Sequence, residues 1–600
     1  MTLHRIGVIG VIGGWVRLKR PLATHGIVRD LTLTGYGGVG EIGGNAFLLD
    51  DGKTRILLDA GRRFGAATVK HQLPESYVRR PGFGDYFDAF LKARSFAAAR
   101  DLQTLDLVPR LPTLYRADLG GTASDVPPVD AIAISHAHQD HFGLLGLIRT
   151  DIPVLASQET IATFANLQET SARGWETDLL DMQLRGGVGH RKGKKKDDPP
   201  ELTVNWRYGE GEEGPTRPLV TTGEHVVGDW TISHAPVDHS IQGAVGFVAT
   251  RRDGYKLVYT GDFRAHGRRP ELTEKFLRLA EDPDVLLVEG TRVRRASDDK
   301  DHAGHNHGAE IPRAKTDSEP EVELEIERII ADHEKDKGPG FVGIGYPMRD
   351  VDRLLSIWQV ARRLGRRLVL QPKQAHLLQK LSRQAGRTDL PDPLTDPNLA
   401  VFVKAQGKGT VMRRGMPLMM GNKLTLAMQE LHAPPEQWIR LVSTELDKWE
   451  RVLLGAADED GSIQLGPNVV TPLDVAAAPR DFIFTLSYWS MTDLFDLFPD
   501  RNSAGGLYIH SQTQPFNDDL ELVMFKLKRW CDAFHLAGPR HTHVSGHASE
   551  ETLHGVLEQL KPKVMVPVHS EAPGMTAEWY SHRIGRKALL PVVGQPLTLA

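Results

Sequence analysis

Apolar positions change their rhythm along this chain. Within residues 31–65 they fall in short runs, "LTLTGYGG", "GNAFLLDD" and "TRILLDAG", separated by turn-type residues. That spacing predicts antiparallel strands. "VDAIAIS" (129–135) predicts a buried strand, and "FGLLGLIRT" and "ETIATFANLQETSARGWE" after it predict helices, as does "DYFDAFLKARSFAAARDLQTL" (85–105). Strands follow at "DWTISHAP", "GAVGFVAT", "YKLVYTGD" and "VLLVEG". A polar, broken stretch at 292–320 reads as a linker. Beyond it helix and strand alternate: "EVELEIERIIADH", "GFVGIGY", "VDRLLSIWQVARRLG", "RRLVLQP", "QAHLLQKLSRQ". Such alternation predicts a parallel sheet with helices on both faces. The last stretch, "LKPKVMVPVHSE" and "ALLPVVGQPLTLA", returns to short strands.

The chain of 600 residues is long enough for two to four domains. With 40% hydrophobic and 25% charged residues it is globular, and its net charge of −4 excludes a generally basic surface. A local basic channel stays open. The single cysteine, Cys531, forbids an intrachain disulfide and fits a reducing, cytoplasmic setting. Any metal must then be held by histidines and carboxylates. The apolar run Ile6–Val16 is too short to span a bilayer and lacks a cleavage pattern, so residues 1–30 are expected to be a disordered extension. No later stretch predicts a membrane span.

"GGVGEIGG" contains a G-x-G-x-x-G at Gly38, Gly40 and Gly43. A dinucleotide site needs those glycines to open a helix, and a hairpin pattern follows instead, so that reading is set aside. The stronger signal is "ISHAHQDH": His136, His138, Asp140 and His141 crowd the end of a predicted buried strand. On an extended segment His136 and His138 point the same way, and Asp140 and His141 follow at the turn. His239 in "APVDHSIQG", Asp262 in "LVYTGDF" and His569 in "VMVPVHSE" each sit at another strand end. Imidazoles and carboxylates in this number suit two adjacent ions, zinc with manganese as the alternative. Such a pair would polarise a phosphoryl or carbonyl oxygen and lower the pKa of water, which is metal-assisted hydrolysis. Asp59 in "RILLDAG" either caps a turn or accepts a hydrogen bond from a ligand histidine. His234 and His266 are read as neighbours rather than ligands.

"HAHQDH" resembles the H-x-H-x-D-H signature of the metallo-β-lactamase fold, with Asp59, His239 and Asp262 in the order of that family's other motifs. "GYGGVGEIGGNAFLLDD", "VLLVEGT", "HTHVSGHASEE" and "VMVPVHSE" are similar to the β-CASP nucleases, and within them to the ribonuclease J group. The resemblance covers roughly residues 31–600. It implies a four-layered αββα metallo-β-lactamase sandwich with an inserted α/β β-CASP domain. Residues 31–290 would form the first part of the sandwich, 318–540 the insertion, and 541–600 the returning segment that completes it. By resemblance, His136, His138 and His239 hold one ion, Asp140, His141 and His569 the other, and Asp262 bridges. His547 would assist phosphate binding and proton transfer, oriented by Glu289, with Asp59 supporting the site. His543, Val544, Ser545, Gly546 and His547 would hold the scissile phosphate. Ser570 stands where the family usually has glycine, and the stretches 66–128 and 183–217 exceed the family core.

In this superfamily a histidine at the position of His569 accompanies RNA processing and a valine DNA repair. RNA is therefore the expected partner and DNA the second choice. The expected activity is a zinc-dependent ribonuclease acting as a 5′-to-3′ exonuclease, an endonuclease or both. A non-catalytic RNA-binding scaffold and a small-molecule lactonase are the other classes. "RKGKKK" (191–196) could contact phosphates but reads first as a solvated loop. Tyr488 and Trp489 could stack a base or pack in the core. The His-rich "DHAGHNHG" (301–308) reads as a flexible segment. The family commonly adds a C-terminal domain that supports dimerisation; this chain runs about 30 residues past His569, which leaves a homodimer open.

Overall fold

The computed structural model describes residues 30–62, 126–171, 177–181, 217–221, 223–293, 316–402, 411–413, 416–418, 447–454, 466–513 and 518–599. The expected helix at 85–105, the basic run 191–196, the His-rich run 301–308, and nearly all of the extension and the two long insertions lie outside the described residues.

Two seven-stranded sheets share one core. The first runs, in spatial order, Pro596–Thr598, Thr32–Gly37, Ala46–Asp50, Arg55–Leu58, Ala131–Ala133, Val154–Leu155, Leu219–Val220. The second runs Lys587–Ala588, Val564–Val568, Val285–Glu289, Lys256–Tyr259, Val245–Arg251, Trp230–Pro236, His225–Val227. Alternation along each strand explains the layering. Phe47, Leu49, Ile56, Leu58, Ala131 and Ala133 of the first sheet meet Phe247, Leu257, Tyr259, Val285, Leu287 and Val566 of the second. Their intervening neighbours Leu48, Leu57, Ile132, Val258, Leu286 and Met565 face outwards. There they meet helical side chains, among them Phe164 of Gln158–Thr170, Phe276 of Pro270–Leu279, Leu553 of Glu550–Leu560 and Tyr580 of Pro573–Ile584. Burial on both faces is why these strands read as nearly unbroken apolar runs.

The segment after the linker forms a third sheet with every pairing parallel: Val469–Val470, Leu399–Phe402, Arg367–Leu370, Phe482–Thr485, Val342–Gly345, Leu507–His510, Ala537–His541. The expected helices stand at Glu319–Lys337, Val351–Arg363 and Pro372–Ala385. The chain then returns. Val564–Val568 inserts beside Val285–Glu289 in the second sheet, and Pro596–Thr598 pairs with Thr32–Thr34 in the first.

One expected helix is absent. "FGLLGLIRT" contributes only the end of a single turn, Gln139–Phe142, and a 3₁₀ turn, Leu145–Leu147. The reason is tertiary. The buried Arg217 guanidinium donates to the carbonyls of Leu145 (2.5 Å), Ile148 (2.7 Å) and Arg149 (3.1 Å), supplying partners that a continuing helix would otherwise provide.

Candidate metal centre

Six strands deliver chemistry to one edge of the paired sheets. Arg55–Leu58 leads into Asp59, Ala131–Ala133 into Ser135 and His136, and Trp230–Pro236 into His239. Lys256–Tyr259 leads into Asp262, Val285–Glu289 ends on Glu289, and Val564–Val568 leads into His569. Arg55–Leu58 and Ala131–Ala133 are parallel, as are the three strands carrying Asp262, Glu289 and His569, so their carboxyl ends open the same way. Asp59 and His569 adopt left-handed backbone, at φ 58° and 51°. Both conformations are uncommon for residues with a Cβ and turn the chain sharply at the strand end.

Three groups of side chains there could hold metal ions: His136, His138 and His239; Asp140, His141, Asp262 and His569; and Asp262, Glu289, His547 and His569. In the first, His138 Nδ1 lies 3.0 Å from His136 Nε2 and 3.1 Å from His239 Nε2. In the second, Asp262 Oδ2 lies 3.0 Å from His141 Nε2 and Asp140 Oδ2 lies 3.1 Å from His569 Nε2. Asp262 Oδ2 is also 3.7 Å from His136 Nε2, 3.7 Å from His547 Nδ1 and 3.8 Å from His569 Nε2. One carboxylate thus touches every group.

The residues fit a metal on a structural ground as well. Asp262 Oδ1 is buried without a hydrogen-bond partner, a costly arrangement that an ion beside it would relieve. The far side of four of the rings is occupied. His141 Nδ1 donates to Asp59 Oδ2 (2.7 Å) and His239 Nδ1 to the Gly546 carbonyl (2.5 Å). His136 Nδ1 lies 3.0 Å from Ser135 Oγ, and His569 Nδ1 lies 2.7 Å from Thr291 Oγ1. Partners on Nδ1 fix the tautomer and aim Nε2 at the shared space.

Protonation tendencies favour ligand roles at five positions; at His141 burial would lower the ring, but Asp262, Asp59 and Asp140 raise it well above the usual histidine value. Burial, reinforced by neighbouring imidazoles, holds His136 and His239 well below the usual histidine value. Burial also takes His138 down to about 4. Burial alone would raise Asp140 and Asp262; the surrounding histidines, His141 first, overcome it and keep both well below the usual carboxylate range. Neutral imidazoles and ionised carboxylates are the forms that bind metal. His547 goes the other way. Burial opposes its charge, but Glu289 and Asp262 raise it to about 9.

Asp59 proves to be a hub. It accepts from Ser135 N (2.7 Å), Ser135 Oγ (2.8 Å), Tyr259 OH (2.6 Å) and His141 Nδ1. Asn45 in turn donates to Tyr259 OH (3.1 Å). We expect Asp59→Ala to weaken metal binding about 10- to 100-fold, the usual cost of losing a partner behind a ligand. Chelator competition measures this, and an unchanged affinity would remove Asp59 from the site.

The "HVSGH" loop leaves the third sheet and crosses to the metal ligands. Its Ser545 carbonyl accepts from His266 Nε2 (2.9 Å) and Arg264 Nη1 (3.5 Å), and its Gly546 carbonyl from His239. A Cβ on Gly546 would sit 2.6 Å from Ser240 Oγ and 3.3 Å from His239 Cε1, so only glycine lets the loop approach this closely. His547 Nδ1 reaches Glu289 Oε2 at 3.1 Å. Val544 packs into the core under the third sheet, and His543 lies half-buried beside Arg353. His547 therefore meets the metal-ligand groups with its side chain, whereas Ser545 and Gly546 are held through their carbonyls.

Sequence reasoning missed several supporting residues. Thr291 Oγ1 donates to Glu289 Oε2 (2.5 Å) and accepts from His569, joining two of the expected site residues. Its position in "VLLVEGT" was visible; its partner 278 residues away was not. His266, read as a neighbour, holds the loop. Tyr488 packs partly against the core while Trp489 is 84% exposed, so only the first has a packing role.

No protein-family model matches the sequence. The chain is 23% identical over 582 residues to a ribonuclease J of Sinorhizobium meliloti, covering 93% of this chain and 72% of that one. It superposes with a TM-score of 0.56 on the crystal structure of a protein of unknown function from Enterococcus faecalis V583, at 17% identity, over 95% of this chain and all of the other. The two share a fold. The metallo-β-lactamase fold protein YhfI of Bacillus subtilis aligns over 44% of this chain at a TM-score of only 0.22. Among the described residues no helix is long and apolar enough to cross a membrane.

Proposed function

We propose that this chain is a ribonuclease J-like, zinc-dependent nuclease that hydrolyses RNA phosphodiester bonds. The observation that carries the reading is the set of ligand groups sharing Asp262, flanked by the His547–Glu289 pair from distant parts of the chain. Similarity to a ribonuclease J along 93% of the sequence supports it. The paired sheets with helices outside support a four-layered metallo-β-lactamase sandwich, and the all-parallel third sheet an inserted β-CASP domain over roughly 318–540.

His136, His138 and His239 would hold one ion, and Asp140, His141 and His569 the other, with Asp262 between them. Two such ions supply Lewis-acid stabilisation of a phosphoryl group and an activated water. His547, braced by Glu289, would donate a hydrogen bond or a proton to the phosphate or its leaving oxygen. The backbone of 543–547 would fix the phosphate beside it. Histidine and carboxylate ligands without a thiolate suit zinc, with manganese as the alternative.

Cleavage of RNAs bearing a 5′-monophosphate, 5′-triphosphate or 5′-hydroxyl, beside single-stranded DNA of the same sequence, tests this. Mononucleotides from the monophosphate RNA identify 5′-to-3′ exonuclease action, and internal fragments identify endonuclease action. Preferential cutting of DNA would reassign the substrate, and intact RNA with metal-loaded protein would overturn the reading.

A further inference from the structure

Arg349 lies beyond the carboxyl end of Val342–Gly345, an interior strand of the third sheet, in a turn closed by the Asp350 N–H on the Pro347 carbonyl (3.0 Å). Asp350 caps the next helix, Val351–Arg363, by accepting from Arg353 N (2.9 Å), so the position of Arg349 is set on both sides. In parallel sheets the carboxyl edge is where ligands are bound. The "HVSGH" loop leaves the same edge, after Ala537–His541.

The guanidinium acts electrostatically on the metal-ligand cluster. Burial pushes the Arg349 guanidinium below its usual value and the Asp140 carboxylate draws it back up; the same cation depresses His138. Yet Arg349 makes no ion pair among the described residues, and its Nη1 is buried without a hydrogen-bond partner. Asp140, the carboxylate that draws it up, already meets His569 Nε2 through Oδ2 (3.1 Å). A guanidinium carries five donors in a fixed fork suited to phosphate oxygens. A buried donor left open beside a candidate hydrolytic centre is the mark of a group awaiting an anionic ligand.

We infer that Arg349 binds substrate: its open Nη1 donates to a non-bridging oxygen of the phosphodiester lying against the Asp140 and His138 side of the metal cluster. The inference rests on the nuclease reading above and adds a contact from the third-sheet segment to it. The third-sheet segment thereby contributes a charged group to the reacting phosphate.

The test compares wild type, Arg349→Ala and Arg349→Lys on the RNA that wild type cleaves best, with zinc content measured in parallel. Arg349→Ala is expected to lose about 100-fold in kcat/KM, as removal of one aimed donor does elsewhere, while keeping its zinc. Arg349→Lys should fall between, because an ammonium keeps the charge and loses the fork. Guanidinium chloride should restore part of the Arg349→Ala activity without stimulating wild type. Wild-type kcat/KM in Arg349→Ala overturns the inference and leaves the nuclease reading standing. So does loss of zinc with activity, which would make Arg349 a support for Asp140. Wild-type protein that cleaves no RNA overturns both.

Discussion

Asp262→Ala is expected to abolish RNA cleavage and to strip the protein of metal. The carboxylate is 2% exposed, and its Oδ2 lies within 3.8 Å of ring nitrogens from His136, His141, His547 and His569. Among the described residues only Asp262 and His569 belong to both carboxylate-containing groups, and the carboxylate paired with His136 is that of Asp262. Its loss leaves the His136 and His141 rings without the carboxylate that they share. The fall in activity should exceed the roughly 10- to 100-fold that partners one step behind a ligand cost. Metal content by elemental analysis should drop from about two ions per chain, while circular dichroism stays that of the folded protein. A variant that kept both ions and cleaved at the wild-type rate would exclude Asp262 as the bridge.

Glu319→Ala is expected to destabilise the fold by about 3–5 kcal/mol, the range for breaking a fully buried ion pair on one side. Glu319 takes a two-pronged bond from Arg353 (Nε 2.7 Å, Nη2 2.9 Å), and Arg353 continues to the Ser511 carbonyl (3.0 Å). Beside them Arg264 bonds Asp352 (3.1 Å) and Asp238 (3.3 Å). Arg264 and Asp238 flank the metal ligands in sequence, whereas Glu319, Asp352 and Arg353 belong to helices of the third-sheet segment. The network therefore joins the two halves of the site, and none of these five side chains exceeds 1% exposure. Burial would raise Glu319, but Arg353 and Arg264 hold it below the usual carboxylate value. A depressed carboxylate contributes stability above its unfolded value and loses it as pH falls through the folded one. Urea unfolding at neutral and at acidic pH measures both effects; the gap between wild type and variant should narrow in acid. Equal midpoints at neutral pH would show that the pair is dispensable.

Much of this was legible in the sequence because it is local. Short apolar runs bounded by turn residues specify strands such as Arg55–Leu58 and Val285–Glu289, since each is buried on both faces. Histidines and aspartates directly after apolar strands marked His136, His138, Asp140, His141, His239, Asp262 and His569 as ligand candidates, and the structure brings all seven together. The helix–strand alternation after residue 318 announced the parallel sheet.

What stayed hidden depends on partners hundreds of residues away. Arg217 decides that Leu145–Ile148 does not continue as a helix, although its apolar spacing suggests one. Whether Asp59 capped a turn or backed a histidine rested on where His141 and Tyr259 arrive. Thr291, the Arg264–Glu319 network and the open guanidinium of Arg349 carry no signature in their own neighbourhoods. The sequence determined which segments extend, which coil and which end in metal-binding side chains, because each of those is set by a few adjacent residues. Only the tertiary structure decided which of those ends meet, because a hydrogen bond or a shared ion records distance in space and not along the chain.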